Sequence, residues 1–166
     1  MSKLLIKPAA TSQVHQVTPQ SAGWSYVGFA VHDLAEGETL QCQQAGRELC
    51  IVILTGTANI SVGLQSWTDV GGRDSVFVDQ PPGAVYVPAG EAVSIVALDS
   101  IEVAVCSAPG HGNSGSARLI DVATMSQEVR GKDTNTRYVR NILPETEAAD
   151  GLLVVEVITP SGHWSS

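Results

Sequence analysis

Apolar residues fall in short runs along this chain, each closed by a turn. The runs are "WSYVGFAV" (24–31), "ETLQC" (38–42), "ELCIVIL" (48–54), "TANISV" (57–62), "DSVFV" (74–78), "AVYVP" (84–88), "AVSIVAL" (92–98) and "IEVAVCS" (101–107). They are rich in Val and Ile, and "EGE", "TGT", "GGRD", "PPG", "PAGE" and "LDS" lie between them. β-branched residues bounded by Gly, Pro and Asp clusters read as strands joined by tight turns. No window keeps a 3.6-residue apolar period for three turns, so no long helix is predicted. Many short strands at even spacing predict an all-β sandwich or closed barrel. Val52, Ile53, Val85, Val87, Ile95, Val103 and Val105 are its expected core.

From Pro109 onward the pattern changes. "PGHGNSGSA" (109–117) reads as a mobile Gly/Ser loop, "RLIDVATMSQEVRGKDTNT" (118–136) as polar and irregular, and "PETEAAD" (144–150) as an acidic linker. "RYVRNIL" (137–143) can form one more strand. "LLVVEV" (152–157) is apolar at positions pointing to both faces of a strand, which predicts burial between layers. Its partner is expected to be the first barrel or a neighbouring copy.

Composition narrows the function. At 166 residues the chain supports one core or slightly more, and its net charge of −8 argues against nucleic acid or an anionic membrane as partner. In "MSKLLIKPAA" only Leu4 to Ile6 is apolar, too short for a signal peptide or membrane span, which predicts a soluble cytoplasmic protein. Cys42, Cys50 and Cys106 form no CxxC motif and read as small buried hydrophobes in a reducing compartment.

Two stretches carry a more specific signal. "GETLQCQQAGRELCIVILTG" (37–56) resembles the first cupin motif, and "PPGAVYVPAG" (81–90) followed by "EAVSIV" resembles the second. The resemblance implies a cupin-type jelly-roll β-barrel from about Trp24 to Ala108. A metal centre needs imidazole and carboxylate groups converging from neighbouring strands. The ligand positions of the motifs hold Gln43, Ala45 and Val93 instead. Only Glu48 could bind a metal, and a lone carboxylate there reads as solvated. His15, His32, His111 and His163 are scattered, with no pair at ligand spacing. The barrel is expected to hold no metal.

Sliding the chain by 125 residues places Gly37 on Gly162 and "VGFAV" on "LLVVE", a faint repeat in which the chain's end opens a second copy of the barrel. The ligands of that copy would begin past Ser166. The pieces "GWSYVGF" (23–29), "LAEGET" (34–39), "ELCIVILTG" (48–56), "GGRDSVF" (71–77), "AVYVPAG" (84–90), "VRGKDTNTRYVRNIL" (129–143) and "LLVVEVITPSGHWSS" (152–166) together resemble the IolB type of the KduI/IolB family. His163 departs from the Asn usual in that pattern. The resemblance implies the first barrel of a bicupin: a metal-free N-terminal barrel at 1–126, a linker at 127–151, and the first strand and turn of a truncated second cupin at 152–166. It further implies conversion of 5-deoxy-glucuronate to 5-dehydro-2-deoxy-gluconate in myo-inositol catabolism. A divalent metal, zinc or manganese, would sit in the second barrel, and no catalytic residue would lie in this chain, which alone is expected to be inactive.

Arg130, Lys132, Arg137 and Arg140 concentrate positive charge in an acidic chain. Arg matches carboxylate geometry, so Arg130, Arg137 and Arg140, with Trp164, are the candidate residues for binding a sugar acid. The competing reading is a solvated connector, or ion pairs with Glu145 and Glu147. A homo-oligomer is expected. Two other functions stand beside the isomerase: a non-catalytic cupin module for assembly or sugar binding, and a cupin dioxygenase, which would need iron ligands.

Overall fold

The structure is a computed structural model that describes residues 5–165. Leu4 and Ser166, which bound two of the segments singled out above, lie outside the described residues. The elements in chain order are β1 (Gln13–Val17), a one-turn helix α1 (Pro19–Ala22), β2 (Gly28–Leu34), β3 (Thr39–Cys42), β4 (Arg47–Val62), β5 (Gln65–Arg73), β6 (Gly83–Val87), β7 (Val93–Ala97), β8 (Ile101–Pro109), β9 (Arg118–Leu119), β10 (Gln127–Arg130), β11 (Arg137–Leu143) and β12 (Val154–Ile158).

The barrel is built around β4, which takes part in both of its layers. Residues Arg47 to Thr55 run antiparallel between β8 and β6, in a layer ordered β1-β2-β8-β4-β6-β9. Residues Gly56 to Val62 run between β5 and β7, in a layer ordered β3-β7-β4-β5. The strand changes layer at Gly56, where the register shifts. Gly56 has φ 75°, and a Cβ there would lie 2.3 Å from Asp99 Oδ1 and 2.5 Å from the Ser100 carbonyl. Only glycine satisfies both the left-handed backbone and the close approach. The result is the all-β, cupin-type barrel that the motifs imply.

Side chains alternate across each strand, so the two faces of β4 serve two cores. Leu49, Ile51, Ile53, Ile60 and Val62 point inward with Val85, Val87, Val93, Ile95, Val103 and Val105. Cys50 and Val52 point outward, with Ala84, Tyr86 and Ala104, into a second cluster completed by Ile120, Met125, Ile142, Leu143, Leu152 and Val154. Burial on both faces explains why "ELCIVIL" is continuously apolar. All seven expected core residues are buried, but Val52 belongs to the outer cluster.

Several elements differ from the sequence reading. Runs 48–54 and 57–62 are one strand, because Gly56 bends the chain without interrupting its pairing. Residues 74–78 form a turn: the Ser75 hydroxyl accepts from the Phe77 amide, and Phe77 is 91% exposed. The strand of that region is β5, "QSWTDVGGR", an edge strand with little buried beyond Val70 and Arg73, so its sequence shows no apolar pattern. Within 127–151, read as a linker, β11 is the strand expected at 137–143, and an unexpected β10 precedes it; both join β12 in a three-stranded antiparallel sheet. That sheet packs one face on the barrel. Leu152 and Val154 are buried, whereas Leu153, Val155 and Val157 remain roughly half exposed on the other face.

Gly56→Ala is expected to lower stability in urea unfolding by about 2 kcal/mol or more, since the new methyl meets two oxygens in a left-handed conformation.

Candidate functional site

The contact between the barrel's outer face and residues 147–158 rests on two carboxylates. Glu48 lies at the start of β4 on the same face as Cys50 and Val52, and it is fully buried. Its carboxylate accepts four hydrogen bonds: from Tyr86 Oη at 2.6 Å, and from the backbone N–H groups of Asp150 (2.8 Å), Gly151 (2.7 Å) and Leu152 (2.6 Å). The expectation of a solvated Glu48 is thus overturned. Alternation along β4 turns the side chain outward, and the chain at 150–152 closes over it. A buried carboxylate is tolerable when its lone pairs are satisfied, and here both oxygens are. Position 151 takes glycine because Tyr26 leaves no room for a side chain: a Cβ there would sit 2.4 Å from Tyr26 Oη.

The groups around Glu48 are tied in turn. Burial, and the bond donated to Glu48, push the Tyr86 hydroxyl well above its ordinary range, so it stays protonated and donates. Ser114 bonds the same hydroxyl. The Arg118 guanidinium stacks 4.5 Å from the Tyr86 ring centroid and donates to the Ala148 carbonyl at 2.6 Å. Asp150 Oδ2 accepts from the amides of His111 (2.5 Å) and Gly112 (2.8 Å). The Gly/Ser segment expected to be mobile is therefore fastened at His111, Gly112 and Ser114.

The second carboxylate is Glu156, in the middle of β12. It lies 2.6 Å from Arg73 Nη2 and 2.6 Å from Arg140 Nη1. Arg140 also reaches Asp79 at 3.0 Å, and both arginines donate to the Gln80 carbonyl. Arg73 Nε donates to the Leu54 carbonyl at 2.6 Å. Both guanidinium groups are almost wholly buried. Two cations face two carboxylates, which offsets the desolvation of the buried charges.

The structure does not bring the candidate sugar-acid residues into one cluster. Arg140 is engaged by Glu156 and Asp79, and edges a cleft of about 420 Å³ lined by Phe77, Val129, Tyr138 and Ile158. Arg130 and Arg137 are register partners on β10 and β11, and Arg130 pairs with Glu128 at 2.5 Å. Arg137 and Arg140 are three residues apart on one strand, hence on opposite faces. Trp164 is half exposed, with its amide bonded to the Thr134 carbonyl. Glu147 lies beside Arg118, at 3.7 Å, and no ion pair between Glu145 and these arginines is seen among the described residues. Sequence reasoning missed Glu48, Arg73, Tyr86 and Glu156 as a set; the one visible signal was a carboxylate standing inside each of two apolar runs.

Nor do the motif positions assemble a metal centre. Gln43 donates its amide to the Gly90 carbonyl at 3.0 Å, Ala45 is exposed, and Val93 is buried inside the barrel. Glu48 faces away from the barrel interior, and its oxygens are fully used. Among the described residues no group of three or more His, Cys, Asp or Glu side chains converges. These residues do not fit a metal.

The profile of the KduI/IolB family matches residues 4–166. Among similar proteins, the 5-deoxy-glucuronate isomerase of Geobacillus kaustophilus is 48% identical over 169 residues, covering 100% of this chain and 61% of its own length. That of Bacillus subtilis (strain 168) is 37% identical over 173 residues, covering 100% and 64%. The chain thus spans less than two thirds of these curated relatives. The crystal structure of an IolB-like protein from Salmonella typhimurium LT2 superposes with a TM-score of 0.90 at 38% identity, over 95% of this chain and 60% of that one. Protein Ylba from E. coli shares the fold, with a TM-score of 0.55 at 11% identity over 86% of this chain and 55% of its own.

Glu48→Ala strands three backbone donors and the Tyr86 hydroxyl in a buried contact. It is expected to cost about 3 kcal/mol. Hydrogen exchange should accelerate at Asp150 to Leu152 and along β12 before it does at Ile51 and Ile53 in the barrel. Glu156→Ala leaves Arg73 and Arg140 buried without their shared partner. An unfolding titration should show a loss of about 3–5 kcal/mol.

Proposed function

Because the chain belongs to the KduI/IolB family, we propose that it is the architectural, non-catalytic part of a 5-deoxy-glucuronate isomerase. The observation that supports this reading best is the similarity of the whole chain to proteins of that name, at 37–48% identity. The reaction is an aldose–ketose isomerisation within myo-inositol breakdown. The open-chain aldehyde of 5-deoxy-glucuronate becomes 5-dehydro-2-deoxy-gluconate as a proton moves between neighbouring carbons. A general base for that step must reach a substrate carbon. Glu48 cannot serve, because its oxygens are already enclosed by four donors. The divalent metal implied by the family resemblance, zinc or manganese, finds no fitting donor set among the described residues, so its ligands belong to residues other than these.

The chain's own contribution is positional. Glu48 fixes the entry to β12, and Glu156 fixes its middle, so the three-stranded sheet is held at a set place on the barrel. The face of that sheet turned from the barrel carries Arg137 and Arg130 at paired positions. We assign these two, with Trp164, to the contact with a sugar-acid carboxylate, which for Arg130 means exchanging its Glu128 partner; Arg140 is committed to Glu156 and Asp79. The free edge of β12 and its half-exposed Leu153, Val155 and Val157 support self-association. A cytoplasmic setting suits the reaction; among the described residues no helix is long and apolar enough to cross a membrane.

The test joins this chain to the part of the Geobacillus kaustophilus relative that it does not match. Turnover of 5-deoxy-glucuronate is expected from the joined protein supplied with zinc or manganese and not from the 166-residue chain. Comparable turnover by both proteins would remove the architectural role.

A further inference from the structure

β4 and β8 run antiparallel, and their register sets Cys50 directly opposite Cys106. Directly opposed residues share a face, and their Cα atoms lie about 4.5 or 5.5 Å apart depending on the hydrogen-bonding site. A disulfide spans Cα separations of about 4.4–6.8 Å. Both side chains belong to the outer apolar cluster, two residues along β4 from Glu48 and against Leu143, Leu152 and Val154. Cys50 is fully buried, whereas Cys106 keeps some access to solvent. The third cysteine, Cys42, is on β3 opposite Val93 and has no thiol across from it.

We propose that Cys50 and Cys106 are a dithiol that closes to a cross-strand disulfide when a small-molecule disulfide serves as oxidant. With oxidised glutathione, the more accessible Cys106 loses its proton to solvent and attacks one glutathione sulfur. The glutathione S–S bond breaks, and one glutathione leaves as a thiolate that takes up a proton. Cys50 then loses its proton and attacks Cys106 Sγ. The mixed disulfide breaks, and the second glutathione leaves. The two cysteines give up two electrons and two protons, and one glutathione disulfide becomes two thiols.

The surroundings set the rate of closure. Burial pushes the Cys106 thiol up to about 11. Burial, with Cys106 adding to it, pushes Cys50 well above its ordinary range. The pair is therefore a slow dithiol at neutral pH, and closure quickens as the thiolate fraction rises. The disulfide would tie β4 to β8 beneath the residues that Glu48 holds in place.

The 166-residue chain, kept native, is incubated with oxidised glutathione at pH values between about 7 and 9, quenched in acid and alkylated. Trypsin cuts after Arg47, Arg73 and Arg118, so Cys50 falls in peptide 48–73, Cys106 in 74–118, and Cys42 in a peptide ending at Arg47. The expected result is a product lighter by two hydrogens, with peptides 48–73 and 74–118 linked and Cys42 not joined to either. Its rate should rise about tenfold per pH unit, following the thiolate. Cys50→Ser should accumulate the glutathione adduct on Cys106 in place of the internal bond. The proposal is overturned if all three thiols remain alkylatable after prolonged incubation at the highest pH, or if the bond that forms joins Cys42 or two chains.

Discussion

Glu48 sits fully buried between the barrel and the polypeptide that follows it, with four donors around its two oxygens. Three of those donors are consecutive backbone N–H groups, at Asp150, Gly151 and Leu152. Satisfying them requires that stretch of chain to bend around the carboxylate. Once it does, Leu152 and Val154 are delivered to the outer apolar cluster, and Asp150 turns back to hold the amides of His111 and Gly112. The placement of β12, the fastening of the 109–117 segment and the covering of the barrel's outer face all follow from this one group. Removing it would leave donors with no water to replace the lost acceptor, which makes the arrangement all or nothing.

A second constraint comes from β4. As a 16-residue strand shared by both layers, it has one face in the barrel interior and the other under the C-terminal elements. A barrel strand facing water alternates apolar and polar residues, as Thr57 to Val62 do; Leu49 to Ile53 cannot, because both faces of that half are dry. The same geometry brings Cys50 against Cys106 and sets Glu48 in line with them. Glu156 completes the contact. Its bridge to Arg73 and Arg140 crosses from β12 to β5 and β11 and draws in the turn at Asp79 and Gln80.

On the function proposed here, these contacts make the chain a scaffold. Its buried carboxylates are consumed by structure, and the positions where a cupin would carry metal ligands hold a glutamine, an alanine and an interior valine. What the barrel supplies is a rigid platform for the three-stranded sheet, whose far face bears Arg130 and Arg137. The chemistry proposed for the family member would then depend on how firmly Glu48 and Glu156 hold that platform.

The sequence by itself determined the strand-rich character, the position of most barrel strands, the identity of the core and the family resemblance. Each of these is written in local pattern: Val and Ile runs, Gly and Pro turns, and motif spacing. It did not reveal β5, whose pairing at a sheet edge is made by the backbone and leaves no apolar trace. Within 127–151 it showed the strand at 137–143 but not β10. The fate of single charges was decided only by the tertiary structure. Glu48 and Leu152 are 104 residues apart, and Arg73 and Glu156 are 83 apart. Whether a carboxylate on a strand meets water or donors depends on what is packed over it, and no local pattern encodes that.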